Sequence, residues 1–465
     1  STQNLRANLP NFTCDYAEEN VCNFHGIQLN ETHPNFKPII IAKRHKRSEA
    51  TLNINIEGAD NNSMYTFTSD VCDEFKDELK LLRIRKIGLK IINEDALNNC
   101  RLLTTLLIFG NDIEDLPPSL FKMNRKLEKL GVQGNKIKML ATGLFDSTKV
   151  LMSLELDEPL MEKFPKLSID SNTQKIKPLM LLNELIIREN RITDLDIGYI
   201  LSAFPNLKDF EIYPFVSRQD ILKIRRYSHQ WEVDDLQRRT MQGTVKEGFR
   251  GKFVKRYRKQ ENLPTFECLP NPQHFHHPYQ IQCAFKDVHL NATNPFINVE
   301  HHSLLSDNFD SNSLVTFNGK YNNSMHTLTN DFCKAFPRLF HHEVVNAGLK
   351  VVLSNAYENC LYLNTIILSG NDLKTLPPDV FKHNLRLSVF LGFNNGIKDL
   401  PETLFDSNDL LQKLNLRNNA LSEFNFIKRG KFPYLQELLI TGNQFALSVK
   451  EKLRQWSKNV STTEL

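Results

Sequence analysis

Apolar and polar positions recur along this chain on two scales. On the short scale, a frame LxxLxLxxNxLxxL fits Leu103, Leu106, Ile108, Asn111, Ile113 and Leu116, and fits again 24 residues later at Leu127, Leu130, Val132, Asn135, Ile137 and Leu140. Its centre has period two, which predicts a short strand with leucines facing a core and the residues between them facing outward. The asparagine turns inward, where its amide can bond backbone groups of adjacent turns that burial would leave unpaired. Leu116 and Phe121, or Leu376 and Phe381, fill the core on the return path, and the proline pairs at 117–118 and 377–378 favour a return without a strand.

On the long scale the whole pattern occurs twice. Cys100–Phe121 reads CRLLTTLLIFGNDIEDLPPSLF and Cys360–Phe381 reads CLYLNTIILSGNDLKTLPPDVF, 260 residues on. In the second half the asparagine position falls at Ala347, Asn371, Asn395, Asn419 and Asn443, always 24 residues apart. In the first half it falls at Ile87, Asn111, Asn135, Pro159, Asn190 and Phe215, and the step from Pro159 to Asn190 is 31 residues. One such unit cannot bury its own apolar face, so copies must stack and both ends need caps. The pattern is a leucine-rich repeat. The expected fold is an α/β repeat solenoid: two tandem leucine-rich-repeat domains of about 24 residues per repeat, from an internal duplication.

The caps are also legible. TLNINIEGADNNSMYTFT at 51–68 and SLVTFNGKYNNSMHTLT at 313–329 each alternate, turn and alternate again, which predicts a β-hairpin. Amphipathic stretches from Ile221 to Trp231 and from Leu447 to Trp456 predict short helical C-terminal caps. The chain divides into an N-terminal cap at 1–78, a first array with its C-terminal cap at 79–236, a basic linker at 237–264, a second N-terminal cap at 265–338 and a second array at 339–465. The eight cysteines fall four to a half. Four cysteines allow three connectivities; the pairing adopted is Cys14–Cys22 and Cys72–Cys100, with Cys268–Cys283 and Cys333–Cys360 in the second half.

Composition narrows the class. A net charge of +4 is too small to imply nucleic acid, and no apolar run approaches the roughly 18 residues needed to cross a membrane. Asn11, Asn30, Asn61, Asn291, Asn322 and Asn459 open N-x-Ser/Thr glycosylation triplets, and two pairs of them (30 and 291, 61 and 322) recur at a spacing of 261 residues. Matched triplets and an even cysteine count suit a mature secreted, extracellular protein whose signal peptide has been removed or was never present. No phosphate loop, G-x-S-x-G or H-E-x-x-H occurs, so no enzyme, no cofactor and no metal site is expected.

The frame LxxLxLxGNxLxxLPxxxF at Cys100–Phe121 and its twin resembles extracellular leucine-rich-repeat proteins, and the short cysteine-containing caps resemble those of the mosquito leucine-rich immune proteins. The resemblance implies a binding module in extracellular fluid, plausibly in innate immunity. Two departures stand out: those proteins carry a single array and a C-terminal coiled coil, whereas this chain has two arrays and no heptad run. Toll-like receptors would need a membrane span and a cytoplasmic domain.

On this scaffold a ligand, expected to be an extracellular protein or a second copy of the chain, meets the exposed strand positions. Counting back four and two residues from each asparagine position gives the concave face. Its candidates are Arg83, Arg85, Leu107, Phe109, Arg188 and Tyr213 in the first domain, and Val345, Ile367, Leu391, Phe393, Arg417 and Leu439 in the second. The second set is the more apolar. Nine of the 14 histidines lie between His274 and His342, and the bland reading is solvated residues of a polar cap. Arg44-His45-Lys46-Arg47 resembles a processing site, and the run Lys252–Lys259 a solvated basic connection.

Overall fold

The structure is a computed structural model that describes residues 9–18, 21–40, 52–76, 78–192, 196–212, 231–233, 239–241, 244–246, 249–253, 263–270, 281–301, 313–336, 338–425 and 432–464. The chain forms two compact units, Ser1–Lys255 and Arg256–Leu465. The motif at 44–47 lies outside the described residues.

The first unit is built on one 12-stranded sheet. From Val21–Phe24 through Leu52–Glu57, Leu79–Arg85, Thr105–Phe109, Lys129–Gln133, Ser153–Asp157 and Glu184–Arg188 to Asp209–Ile212, every neighbour is parallel. Parallel strands require a return path on each turn, and the LPxxxF segments supply it without a helix. In the second unit a ten-stranded sheet repeats the arrangement through Ser313–Asn318, Leu339–Val345, Thr365–Ile367, Val389–Leu391, Lys413–Asn415 and Glu437–Leu439 to the terminal Thr462–Glu464. The inward residues of each strand, such as Leu106 with Ile108 or Leu414 with Leu416, are buried. Behind them Tyr357, Phe381 and Phe405, one per repeat, run ring against ring with centroids 5.9 and 5.6 Å apart.

The asparagine ladder forms as the frame requires. Asn111 Oδ1 accepts from Ile87 N (3.0 Å) and Leu89 N (3.3 Å), and its Nδ2 donates to Ile84 O and Phe109 O. Asn371 does the same for Ala347 N, Leu349 N and Val344 O.

The predicted hairpins at 51–68 and 313–329 are corrected by the structure. Leu52–Glu57 lies parallel between Val21–Phe24 and Leu79–Arg85, while Ser63–Met64 and Thr66–Phe67 sit on another wall, parallel to Gln28–Leu29 and Ile91–Ile92. Each segment is therefore a further coil of the solenoid. The Asn-Asn-Ser-Met turn is a corner and not a reversal. Asn61 takes a left-handed φ of 57°, and buried Asn62 accepts from Ile27 N (2.8 Å) and donates to Phe24 O and Glu57 O. Asn322 and Asn323 repeat this. Gly58 and Gly319 precede the corner because a Cβ there would collide with the carbonyl oxygen of Lys86 or Asn346 on the next coil. The true hairpins lie earlier, where Asn11–Glu18 runs antiparallel to Val21–Phe24 and Thr265–Pro270 to Ile281–Ala284.

The linker expected at 237–264 also shifts. Phe249–Phe253 joins the first unit's sheet, antiparallel to Asp209–Ile212, and Trp231–Val233 pairs with it in turn. The helix predicted from Ile221 lies outside the described residues apart from Trp231, which opens a strand. In the second unit the helix at Leu447–Trp456 is present, with Leu453 buried and Trp456 packed against the core.

Candidate binding faces

Strand register places the outward residues in columns. Arg83, Leu107, Gly131, Glu155, Ile186 and Glu211 stand side by side, as do Arg85, Phe109, Gln133, Asp157 and Arg188. Tyr213 lies outside the described residues. The antiparallel strand at 249–253 sets Arg250 opposite Glu211 and Lys252 opposite Asp209 in backbone register, so the basic run meets the acidic end of the array. Arg85 is exposed, Arg83 and Phe109 are half-buried, and Leu107 is covered at 8% exposure. Gly131 makes this possible: a Cβ there would lie 2.9 Å from Leu107 Cδ2 and 3.4 Å from the Phe109 ring, so both side chains lean over its bare Cα.

The far end of the first face is a charge cluster around one arginine. Arg188 bonds Glu211 through two nitrogens, at 2.9 and 3.1 Å, and lies 3.5 Å from Glu155 and 4.0 Å from Asp157. Its backbone N–H donates to Asp157 Oδ1 at 3.1 Å. Burial pushes the Asp157 carboxyl up to about 6, with Arg188 acting against the shift and Glu155 and Glu211 adding to it. The hydrogen bonds that Arg188 donates to Glu211 hold its guanidinium above its ordinary value. Three carboxylates share one guanidinium, so this end is acidic while the Arg83–Arg85 end is basic.

In the second unit Glu343, Ile367, Leu391, Asn415 and Leu439 form one column. Ile367, Leu391, Phe393 and Val345 are half-buried, and Leu439 is covered at 6% exposure beneath the end of the array. The terminal strand sets Glu464 beside Leu439, and Glu464 pairs with Arg417. The apolar part of this face is thus concentrated on the first repeats, around Ile367, Leu391 and Phe393.

Three features were not anticipated from the sequence. Glu158, fully buried, takes the ladder role beside Pro159: its Oε1 accepts from Asn135 N (3.1 Å) and Nδ2 (2.9 Å), and its Oε2 from Ile137 N (3.2 Å). Burial raises its pKa against those hydrogen bonds. A second ladder runs along the return path, where Asn124 donates to Leu97 O and Cys100 O, Asn384 to Tyr357 O and Cys360 O, and Asn408 to Phe381 O and Asn384 O. Its signal, an asparagine three residues after Phe121, Phe381 and Phe405, is present in the sequence; after Phe145 a threonine, Thr148, stands at that position. Finally, His342 is not a solvated cap residue. It is fully buried against Phe332, with Nδ1 3.2 Å from the Tyr357 hydroxyl and Nε2 without a partner, and burial pushes its pKa down to about 3.

Cys72–Cys100 and Cys333–Cys360 form disulfides as expected, each with Cα atoms 4.9 Å apart. Cys22 and Cys283 are disulfide-bonded as well; the side chains of Cys14 and Cys268 lie outside the described residues. No group of three or more potential metal ligands occurs among the described residues, nor does a helix long and apolar enough to cross a membrane.

Comparison with known proteins agrees at the level of the repeat. The BspA type leucine rich repeat region matches in six copies over residues 72–178 and 339–436. Among curated proteins none matches the chain. Among solved structures, the mosquito LRIM1/APL1C complex is 15% identical, with 98% of this chain and 68% of that chain covered and a TM-score of 0.33. The APL1 leucine-rich repeat domain is 16% identical over 93% of this chain and 83% of that one, with a TM-score of 0.32. A Toll chain from the Drosophila Toll–Spatzle complex is 17% identical over 87% of this chain but 40% of its own length, with a TM-score of 0.28. Stacked parallel strands, an asparagine ladder and the matched repeats together establish that this chain has the leucine-rich-repeat fold.

Proposed function

We propose that this is a secreted, non-enzymatic recognition protein that binds extracellular protein ligands through the concave faces of its two units, in innate immunity. The observation that carries the reading is the ordering of outward side chains on parallel strands. The first unit's face, with a basic end at Arg83 and Arg85 and an acidic end around Arg188, offers charge complementarity to a protein surface, and the second unit's own face, with an apolar patch at Ile367, Leu391 and Phe393, offers desolvation. The immune setting follows the resemblance to the mosquito leucine-rich immune proteins. The proposed two-domain division follows the duplication.

The apolar patch favours one alternative, a structural or adhesive protein that assembles with its own copies through the second face. Light scattering after size exclusion separates the two. For a recognition protein, the mass stays constant across a concentration series, and the double variant Leu391→Glu with Phe393→Glu loses a partner that the native protein retains from extracellular fluid. A native mass that climbs with concentration, and no longer does so in the double variant, overturns recognition in favour of assembly.

A further inference from the structure

The glycosylation triplets gain a geometry that the sequence does not display. Asn30 and Asn291 stand in NETHPN and NATNPF, segments that share little beyond the triplet and a proline. Their side chains nevertheless do the same thing. Asn30 Oδ1 accepts from Thr32 N (3.0 Å), Thr32 Oγ1 (2.8 Å) and His33 N (2.9 Å). Asn291 Oδ1 accepts from Thr293 N (3.0 Å), Thr293 Oγ1 (2.8 Å) and Asn294 N (2.8 Å). In both, the triplet's own hydroxyl binds the amide oxygen, that oxygen accepts three hydrogen bonds, and the residue is exposed.

The second pair of triplets sits on the adjoining coil of each unit. Asn61 and Asn322 are exposed, left-handed corner residues whose buried neighbours Asn62 and Asn323 hold the turn. Strand register relates the two. Gln28–Leu29 pairs with Ser63–Met64, and His289–Leu290 with Ser324–Met325, so in each unit one triplet (Asn30 or Asn291) directly follows a strand whose partner is preceded by the corner that holds the other (Asn61 or Asn322).

We propose that Asn30, Asn61, Asn291 and Asn322 carry N-linked glycans, and that each pair shields the flank wall of its unit's first coils. Partners are thereby directed to the concave strands. The donor is a polyprenyl-diphosphate-linked oligosaccharide: Nδ2 displaces the diphosphate at the anomeric carbon, the N–C bond forms as the C–O bond breaks, and the departing amide proton passes to a base of the transferase. The hydrogen bond from the triplet hydroxyl polarises the amide in the folded site as it would in the nascent turn. Asn11, exposed at the start of the first hairpin, has no counterpart in the second unit, and the side chain of Asn459 lies outside the described residues.

This inference rests on the secreted reading, and its test separates the two. The full chain, given a signal peptide, is expressed in insect cells, and the secreted protein is treated with a peptide N-glycosidase in H2¹⁸O before peptide mass spectrometry. Isotope-labelled aspartate at positions 30, 61, 291 and 322 is expected. Thr32→Ala and Thr293→Ala each remove one glycan, and Thr32→Ser and Thr293→Ser restore it, because serine keeps the hydroxyl. Secreted protein with unlabelled asparagine at 30 and 291 overturns the glycan assignment while leaving recognition by the concave faces standing. Labelled asparagines, with partner capture lost equally from native and deglycosylated protein, would instead tell against the recognition reading. The shielding itself fails if a biotinylating reagent labels a cysteine placed at Ser63 or Ser324 as fast with the glycans as without them.

Discussion

In the core of each array's first coil the two units part. In the first unit Val71, Leu82 and Leu97 fill the core; in the second the equivalent positions hold Phe332, His342 and Tyr357. The frame around them is unchanged, including the disulfide, the proline pair and both ladders. A histidine and a tyrosine thus replace two leucines in a closed core, joined to each other and otherwise surrounded by Phe332, Val315 and Ile366. Among the described residues, the other charged or titratable groups acting on His342 are its strand neighbours His341 and Glu343, which pair with each other at 2.7 Å. The repeat frame specifies that a position is inside; it does not specify that the occupant is apolar. What the frame leaves open shows as pH dependence.

The largest expected effect is on the second unit. Its His342 has a folded pKa of about 3 against 6.5 in the unfolded chain, so the unfolded state takes up a proton that the folded state refuses. The stability is complete above pH 6.5 and is lost as pH falls toward 3, at roughly 1.4 kcal/mol per pH unit, or about 3 kcal/mol between pH 6.5 and 4. Hydrogen exchange at the amides of 339–367 should show this loss, and the double variant His342→Leu with Tyr357→Leu, which copies the first unit, should flatten it. An unchanged pH slope in that variant would show that acid acts elsewhere.

The first unit should respond in the opposite sense. Folding raises Asp157 to about 6, so its contribution is full below the ordinary carboxylate range and is lost as pH rises through 6; burial raises Glu158 too, which acts in the same direction. Between pH 6 and 4 the first unit therefore gains while the second loses. The same site gives the next prediction by size. Glu158→Ala leaves the backbone donors of Asn135 and Ile137 buried without acceptors, at a cost of about 2–3 kcal/mol, whereas Glu158→Gln keeps one acceptor oxygen but sets an amide donor against the other N–H and should cost less, about 1–2 kcal/mol. Urea unfolding followed at a probe in the first unit decides this; equal losses in both variants would mean that the full carboxylate, with an acceptor at each oxygen, is required, because glutamine keeps the packing.

Smaller still, and equal in the two units, is the effect of the return-path ladder. Asn124→Ala and Asn384→Ala each strand two buried carbonyls on the preceding coil, an expected loss of about 1–2 kcal/mol apiece. A marked inequality between them would show that the coil around Tyr357 has a different tolerance from the coil around Leu97.

Much of the candidate site was legible because register in a solenoid follows from counting. Once the 24-residue step is known, Ile367, Leu391 and Leu439 must share a column, and the parallel pairing places them so. Their exposure could not be counted in the same way. Leu439 is covered near the terminal strand and Leu107 lies over Gly131, since cover depends on neighbours from other turns. The ladder role of Glu158 was hidden because the frame pointed one residue on, to Pro159, which has no donor or acceptor side chain.

By itself the sequence determined the periodicity, the duplication, the inward leucines and the ladder asparagines, and it narrowed the cysteines to three pairings per half, among which the structure shows Cys72–Cys100 and Cys333–Cys360. All of these are local patterns repeated at a fixed step, and stacking offers them only one arrangement. Tertiary structure alone decided where the coil begins and ends. An alternating strand, a glycine-containing turn and a second alternating strand have the same signature in a hairpin and in a solenoid corner. The outcome depends on whether Leu52–Glu57 finds a better parallel partner in the coils on either side than an antiparallel one in its own sequence. The same holds for Phe249–Phe253, whose basic composition suggested a linker but whose backbone completes an otherwise open sheet edge. Unpaired edge hydrogen bonds belong to the assembled array and cannot be read from the segment that satisfies them.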